Sequence, residues 1–153
     1  CSYVTKNKLT LFTTAKLMKK TKEKEHYVKF IFKLQEQQMS VSVSTLSQKL
    51  GVSKSSVTNM LKKLVQMELV DTAPYQPIAL TEAGVAMAKE VVAKHRLIEA
   101  FLVEVMGFSI DAVHPIAEEV EHIDSPVFFR RVKEMLKQDQ TDPHGSSIPK
   151  IDF

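Results

Sequence analysis

The stretch VSVSTLSQKLGVSKSSVTNMLKKLVQMELV, residues 41–70, decides how this chain folds. Ser44 is a candidate N-cap for a short helix carrying Leu46 and Leu50, and Gly51 supplies the permissive backbone needed to turn. Ser53 caps a second helix running to about Met67, with Val57, Met60, Leu61, Leu64 and Val65 directed at a core. Two helices joined by a tight turn predict a helix-turn-helix, with an unrelated helical hairpin as the bland alternative. The exposed face of the second helix favours the first reading. Ser53, Lys54, Ser55, Ser56, Thr58 and Asn59 cluster near its N-terminus, where free backbone N–H groups and the positive end of the dipole also attract phosphate. Hydroxyls and an amide suit base edges, whereas Lys62 and Lys63 suit the DNA backbone. The following MELVDTAPYQPIALTEAG predicts two short strands interrupted by Pro74 and Pro77. That is a small wing, with Tyr75 and Gln76 near its tip.

Upstream, Tyr27, Phe30, Ile31 and Leu34 recur at three- and four-residue spacing, which predicts a helix over 23–37 with one buried face and His26 near its start. Residues 1–22 are lysine-rich and read as an arm or a short extra helix. Downstream, Thr81 caps a long helix whose series Val85, Ala88, Val91, Val92, His95, Ile98, Phe101, Leu102 and Val105 reaches Gly107. Ser109 or Asp111 begins another helix to about Ile123, with Pro115 expected in the first turn or so, where its missing N–H costs little. Ser125 caps a third, with Pro126 first and Val127, Phe128, Val132, Met135 and Leu136 as its apolar positions. The tail DPHGSSIPKIDF reads as a loop of turn formers. The expected fold is therefore mainly α: a basic arm over 1–22, a winged helix-turn-helix over 23–82, and an all-helical domain over 83–153.

The 153 residues, 44% apolar and 25% charged, have an ordinary globular composition. A lone Cys1 excludes an internal disulfide framework and any four-thiolate metal centre, so a reducing compartment is the default. No apolar run approaches the roughly 20 residues that span a bilayer, and the basic opening segment is unlike a signal peptide. The expectation is a soluble cytoplasmic protein with no membrane partner. The net charge of +3 conceals a segregation. Residues 1–71 hold 13 Lys or Arg against 5 Asp or Glu, a difference of +8, and residues 72–153 hold 8 against 13, a difference of −5. One half thus suits a polyanion and the other collects cations.

The second half also carries paired ligand types. His95 and Glu99 are four apart and share a helix face, as do His114, Glu118 and His122, with Glu121 beside them. Imidazole nitrogen with carboxylate oxygen suits manganese, iron or zinc, although any one such pair is more often a hydrogen bond on a wet face. There is no HExxH and no recognised arrangement around a general base, so an enzyme is not expected.

Taken together, KEKEHYVKFIFKL, LSQKLGVSKSSVTNMLKKL, ALTEAG, AKHRLIEAFL, AVHPIAEEVEHI and DPHGSSIP resemble the diphtheria-toxin-repressor family of metal-dependent transcriptional regulators, especially its manganese-transport-repressor branch. The resemblance runs from about Lys22 to Pro149. It implies a primary regulatory metal site of His26, Glu118, Glu121 and His122, and an ancillary site of His95, Glu99 and His114. Glutamate at 118, where the iron-responsive branch has cysteine, points to Mn(2+); histidine at 26, where relatives have methionine or aspartate, adds a nitrogen that suits Zn(2+), and Fe(2+) is the third candidate. The chain stops soon after its IPK segment, so the SH3-like domain of some members is expected to be missing.

The resemblance further implies a homodimer that binds palindromic double-stranded operator DNA and represses genes for divalent metal uptake. An ion gripped by the first helix and the helical domain would fix the two reading helices in register. Val91, Ile98, Phe101, Phe128 and Phe129 form the expected two-fold stripe, unless some of them belong to the monomer core. The competing class is a winged-helix interaction protein without metal regulation.

Overall fold

The computed structural model describes residues 22–137 and 141–153. The arm expected over 1–22 lies outside the described residues except for Lys22, which is already helical. The chain divides into two compact units between Ala79 and Leu80. Among the described residues no helix is long and apolar enough to cross a membrane.

In the first unit, α1 (22–36) buries Tyr27, Val28, Ile31 and Leu34, a face with helical spacing. Then α2 (Val43–Leu50) begins at Ser42, whose hydroxyl accepts from the Thr45 amide at 3.1 Å. Ser42, not the expected Ser44, is therefore the cap. Starting the helix two residues earlier still buries Leu46, because the core contact and not the serine spacing fixes the phase. The turn is made by Gly51 at φ +66°, a left-handed conformation that disfavours a β-carbon. Helix α3 (Lys54–Gln66) is capped by Ser53 and buries Val57, Met60, Leu61 and Leu64. Val65, expected inside, is 40% exposed, since the stripe has already turned past it.

The wing consists of β1 (Val70–Asp71) paired with β2 (Ala79–Leu80), with Pro74 and Pro77 confining it to two residues on each side. Ile78 donates its amide to the Val41 carbonyl at 2.9 Å, tying the returning arm to the segment before α2. Tyr75, at the tip, is fully exposed with φ +62°.

The second unit is organised around α4 (Glu82–Glu104), which is capped by Thr81 through the Gly84 amide at 3.0 Å. Against it pack α5 (Ile110–Val120) and α6 (Pro126–Met135). The core comprises Ala93, Leu97, Ile98 and Leu102 of α4 with Val113, Ala117, Phe129, Val132 and Ile148. Pro115 sits inside α5, beyond its first turn, because the helix begins at Ile110 after Ser109; the Asp111 carbonyl there loses its intrahelical donor. On α6 the buried aromatic is Phe129, while Val127, Phe128 and Met135 are exposed. Val91, Ile98 and Phe129 of the expected two-fold stripe are buried within the protomer; Phe101 is half-buried and Phe128 exposed. Three consecutive apolar residues at 127–129 leave the phase of α6 undefined by pattern alone. The ring of Phe129 settles it, with Lys94 Nζ 5.1 Å above its centre and Phe153 stacked at 5.5 Å.

Candidate metal centre and DNA-reading face

On α3 every residue expected to meet DNA is exposed: Ser53, Lys54, Ser55, Ser56, Thr58, Asn59, Lys62 and Lys63, with Tyr75 on the wing. Their chemistry is not equal. The Ser53 hydroxyl accepts from the Ser56 amide at 3.2 Å and lies within 3.0 Å of the Ser55 hydroxyl and 2.9 Å of that of Ser56. Thr58 donates back to the Lys54 carbonyl at 2.9 Å, so its hydroxyl is already engaged. Asn59 keeps an amide able to pair bidentately with adenine, and Lys54, Lys62 and Lys63 carry charge for phosphates.

On α4 every residue from Val91 to Ala100 is buried, including Lys94, His95, Arg96 and Glu99. Charged groups so placed need partners. Lys94 pairs with Glu90 at 3.0 Å and donates to the Ile123 carbonyl at 3.2 Å. His95 and Glu99, one turn apart, meet His114 of α5. His95 Nε2 lies 3.1 Å from Glu99 Oε1 and 3.2 Å from His114 Nδ1, and His114 Nδ1 lies 3.1 Å from the same Oε1. These three ligand-type atoms form a nearly equilateral triangle. Three such ligands each about 2.0–2.2 Å from one first-row ion stand about 3–3.5 Å apart, so the triangle needs little rearrangement to hold one.

The other oxygen of Glu99 faces a second set. His144 Nδ1 lies 3.4 Å from Oε2, and Glu99, Asp142 and His144 offer ligand atoms within 4.8 Å of one another. Sequence reasoning did not single out Asp142 and His144 as candidate ligands. Their signal was an aspartate and a histidine on either side of Pro143 in DPHG, a motif read only as a turn. The expected primary residues are dispersed by comparison. Glu118 pairs with His114 at 3.3 Å, and Glu121 Oε1 with His122 at 3.3 Å. Glu121 Oε2 lies 2.5 Å from His95 Nδ1, so this buried carboxylate is joined to the ancillary histidine. Among the described residues Glu118, Glu121 and His122 do not converge as a tight triad. His26 belongs to the first unit, where its ring lies 4.9 Å from that of Phe30.

The electrostatics follow from this packing. Burial works against a charged His95, but hydrogen bonds to Glu121 and Glu99, with their charges, outweigh it and raise its pKa above 6.5. Burial would push the Glu99 carboxyl upward, yet His95, His114 and His144 hold it at about 2. Both nitrogens of His95 face carboxylates. That suits an imidazolium donating twice, or a neutral ring that keeps its Nδ1 proton on Glu121 and turns the Nε2 lone pair to a cation. The second arrangement is the way a carboxylate orients a metal-binding histidine. A set of nitrogen and oxygen donors, with a carboxylate that stays ionised although its side chain is 3% exposed, fits a divalent first-row ion.

Comparisons with known proteins agree with this division of labour. The family model described as the iron dependent repressor N-terminal DNA binding domain matches residues 19–78. The one described as the iron dependent repressor metal binding and dimerisation domain matches 81–150. An uncharacterized HTH-type transcriptional regulator of Methanocaldococcus jannaschii is 33% identical over 74% of this chain and 92% of its own. The chain belongs to the iron-dependent repressor family. The diphtheria toxin repressor of Corynebacterium diphtheriae, another member, is 30% identical over 84% of this chain and 57% of its own length. Among solved structures, a manganese-dependent transcriptional repressor complexed with manganese is 38% identical, with a TM-score of 0.77 over 84% of this chain and 59% of that one. The chain thus spans little more than half the length of these last two relatives. As members of a repressor family, these domains call for ligand and DNA contacts and not for a catalytic apparatus.

Proposed function

We propose that the chain is a metal-activated transcriptional repressor, in which a divalent ion held in the second unit controls operator binding by α3 and the wing. The observation that carries this is the His95, Glu99 and His114 triangle, built on the element that follows directly from the DNA-reading wing. The residues that would hold the ion there are His95, Glu99 and His114, with Asp142 and His144 facing the second Glu99 oxygen. Glu121 keeps His95 in the binding tautomer. An ion supplies positive charge to this acidic interior and a reason for α4, α5 and the 141–147 loop to adopt one arrangement. The set of His26, Glu118, Glu121 and His122 enters through the sequence resemblance as a second, regulatory site. A homodimer reading a palindrome in the cytoplasm and restraining divalent metal uptake completes the proposal.

Manganese is the favoured ion. Its support is the carboxylate content and the solved relative described as manganese-dependent. Zinc is the alternative, supported by three histidines around Glu99. Replacing His26 by Ala tests its place in the regulatory set: loss of a bound ion keeps His26 as a ligand, and unchanged stoichiometry removes it.

The test of the proposal is DNA binding at matched free concentrations of Mn(2+), Zn(2+) and Fe(2+), using a duplex selected from a random pool with metal present. Metal should tighten binding by at least tenfold. A winged-helix interaction protein without metal regulation would show no response.

A further inference from the structure

We infer that Arg96 is a positioning residue for the metal centre. It clamps the 141–147 loop onto α4, so that Asp142 and His144 stand opposite Glu99 before an ion binds. The inference rests on the metal reading above and adds to it the part that prepares the site.

Arg96 follows His95 directly and precedes Glu99 by three residues. A fixed positive charge this close to a cation site opposes the cation, so its burial calls for a compensating role. Its contacts supply one. Arg96 Nη1 donates to the Ser147 carbonyl at 2.5 Å, and its Nε lies 4.0 Å from Asp142 Oδ2. Those two oxygens, one hydrogen-bonded and one ion-paired, belong to opposite ends of the loop, which is closed by a bridge between Thr141 and Ser147.

Within the loop the two oxygens of Asp142 divide their work. Oδ1 accepts from the His144 amide at 2.9 Å and the Ser146 amide at 2.8 Å, which fixes the turn that carries His144. Oδ2 faces the guanidinium. Gly145, at φ +87°, lets the chain reverse, and the loop then runs into Ile148 in the core. These local bonds shape the turn, but they do not attach it to α4. Arg96 does so beside the packing of Ile148, and His144 stands 3.4 Å from Glu99. A planar guanidinium can direct separate N–H groups at a carbonyl and a carboxylate, which a lysine ammonium at the same place does less well. An ion meeting a loop already in place does not have to order it, and its affinity is higher by that saving in entropy.

The test compares the wild-type chain with Arg96→Gln, and with Arg96→Met should the first not fold. The first readout is amide hydrogen exchange at His144 and Ser146 in chelator. Exchange should quicken about tenfold or more in the variant; unchanged exchange overturns the clamp. The second is Mn(2+) affinity, followed by the electron paramagnetic resonance signal of the free ion. The substitution should weaken binding about 10- to 100-fold, the range for residues that orient ligands. In a His144→Ala background the same substitution should cost clearly less, because only Asp142 is left for the clamp to place. An equal loss in both backgrounds would mean that Arg96 acts through general stability, and would overturn the inference. If the wild-type chain takes up neither Mn(2+) nor Zn(2+), the metal reading itself fails, whereas normal uptake with unchanged exchange defeats only the role of Arg96.

Discussion

Helix α3 buries one side and leaves the other to water, whereas α4 has no wet side between Val91 and Ala100. The first arrangement lets polar groups face a partner without a desolvation cost in the unbound protein. The second forces every ionisable group to find a partner inside the protomer, and so gathers His95, Glu99 and their neighbours into one cluster. The lesson is that a solvent-facing polar surface is written along one helix, while a buried charged cluster is assembled from several segments whose charges answer one another.

If that contrast is right, substitutions in α4 should act on metal and those in α3 on DNA. The largest effect is expected from Glu99→Gln, which removes the charge shared by three histidines. Metal affinity should fall by more than the ~10- to 100-fold typical of a ligand's supporting partner, as read by Mn(2+) or Zn(2+) titration, while binding to non-specific DNA in chelator stays near wild type. Glu121→Gln should follow at about 10- to 100-fold, because it releases His95 from its orienting contact. Metal-dependent operator binding should then suffer far more than metal-free DNA binding; equal loss of both would refute this assignment of Glu121.

Proton competition comes next. The Glu99 contribution to stability is complete above its ordinary 4.5 and is lost as pH falls toward about 2. The His95 contribution is complete below 6.5 and is lost as pH rises through its raised value. In chelator, this pair therefore contributes most between about pH 4.5 and 6.5. Metal must displace a proton from His95 Nε2, so the rise in Tm caused by Mn(2+) should grow from pH 5 to pH 8. A Tm increment independent of pH would place the ion away from His95.

The smallest effects belong to α3. Lys62→Ala should weaken binding to all duplexes and reduce the salt slope by about 1. Asn59→Ala should change sequence preference by ~1–3 kcal/mol at one base pair. If Lys62 altered sequence preference and Asn59 did not, the division of backbone and base contacts on α3 would be reversed.

The same contrast explains what could be read from residue order. Helices α2 and α3 announce themselves through Gly51, Ser53 and a single apolar stripe, all local signals. Even there the cap at Ser42 was misplaced at Ser44, because alternating serines in VSVST offer two starts and only the packing of Leu46 chooses. On α4 and α5 the spacing of His95 with Glu99 showed that they share a face, and His114 was a visible candidate. Their convergence depends on how α5 returns against α4, which no short window contains. Asp142 and His144 were illegible as candidate ligands for the same reason, since a proline–glycine turn has no period and its partner lies across two helices. The assignment of Glu121 with Glu118 and His122 came from resemblance; the packed second unit sets one of its oxygens beside His122 and the other against His95, a contact that residue order did not announce.

The most direct test of metal control is operator binding by the wild-type chain and by Glu99→Gln, each in chelator and in saturating Mn(2+) or Zn(2+). The account predicts that metal tightens wild-type binding at least tenfold and leaves the variant near its chelator value. Equal wild-type affinity with and without metal, or a full metal response in Glu99→Gln, would contradict it.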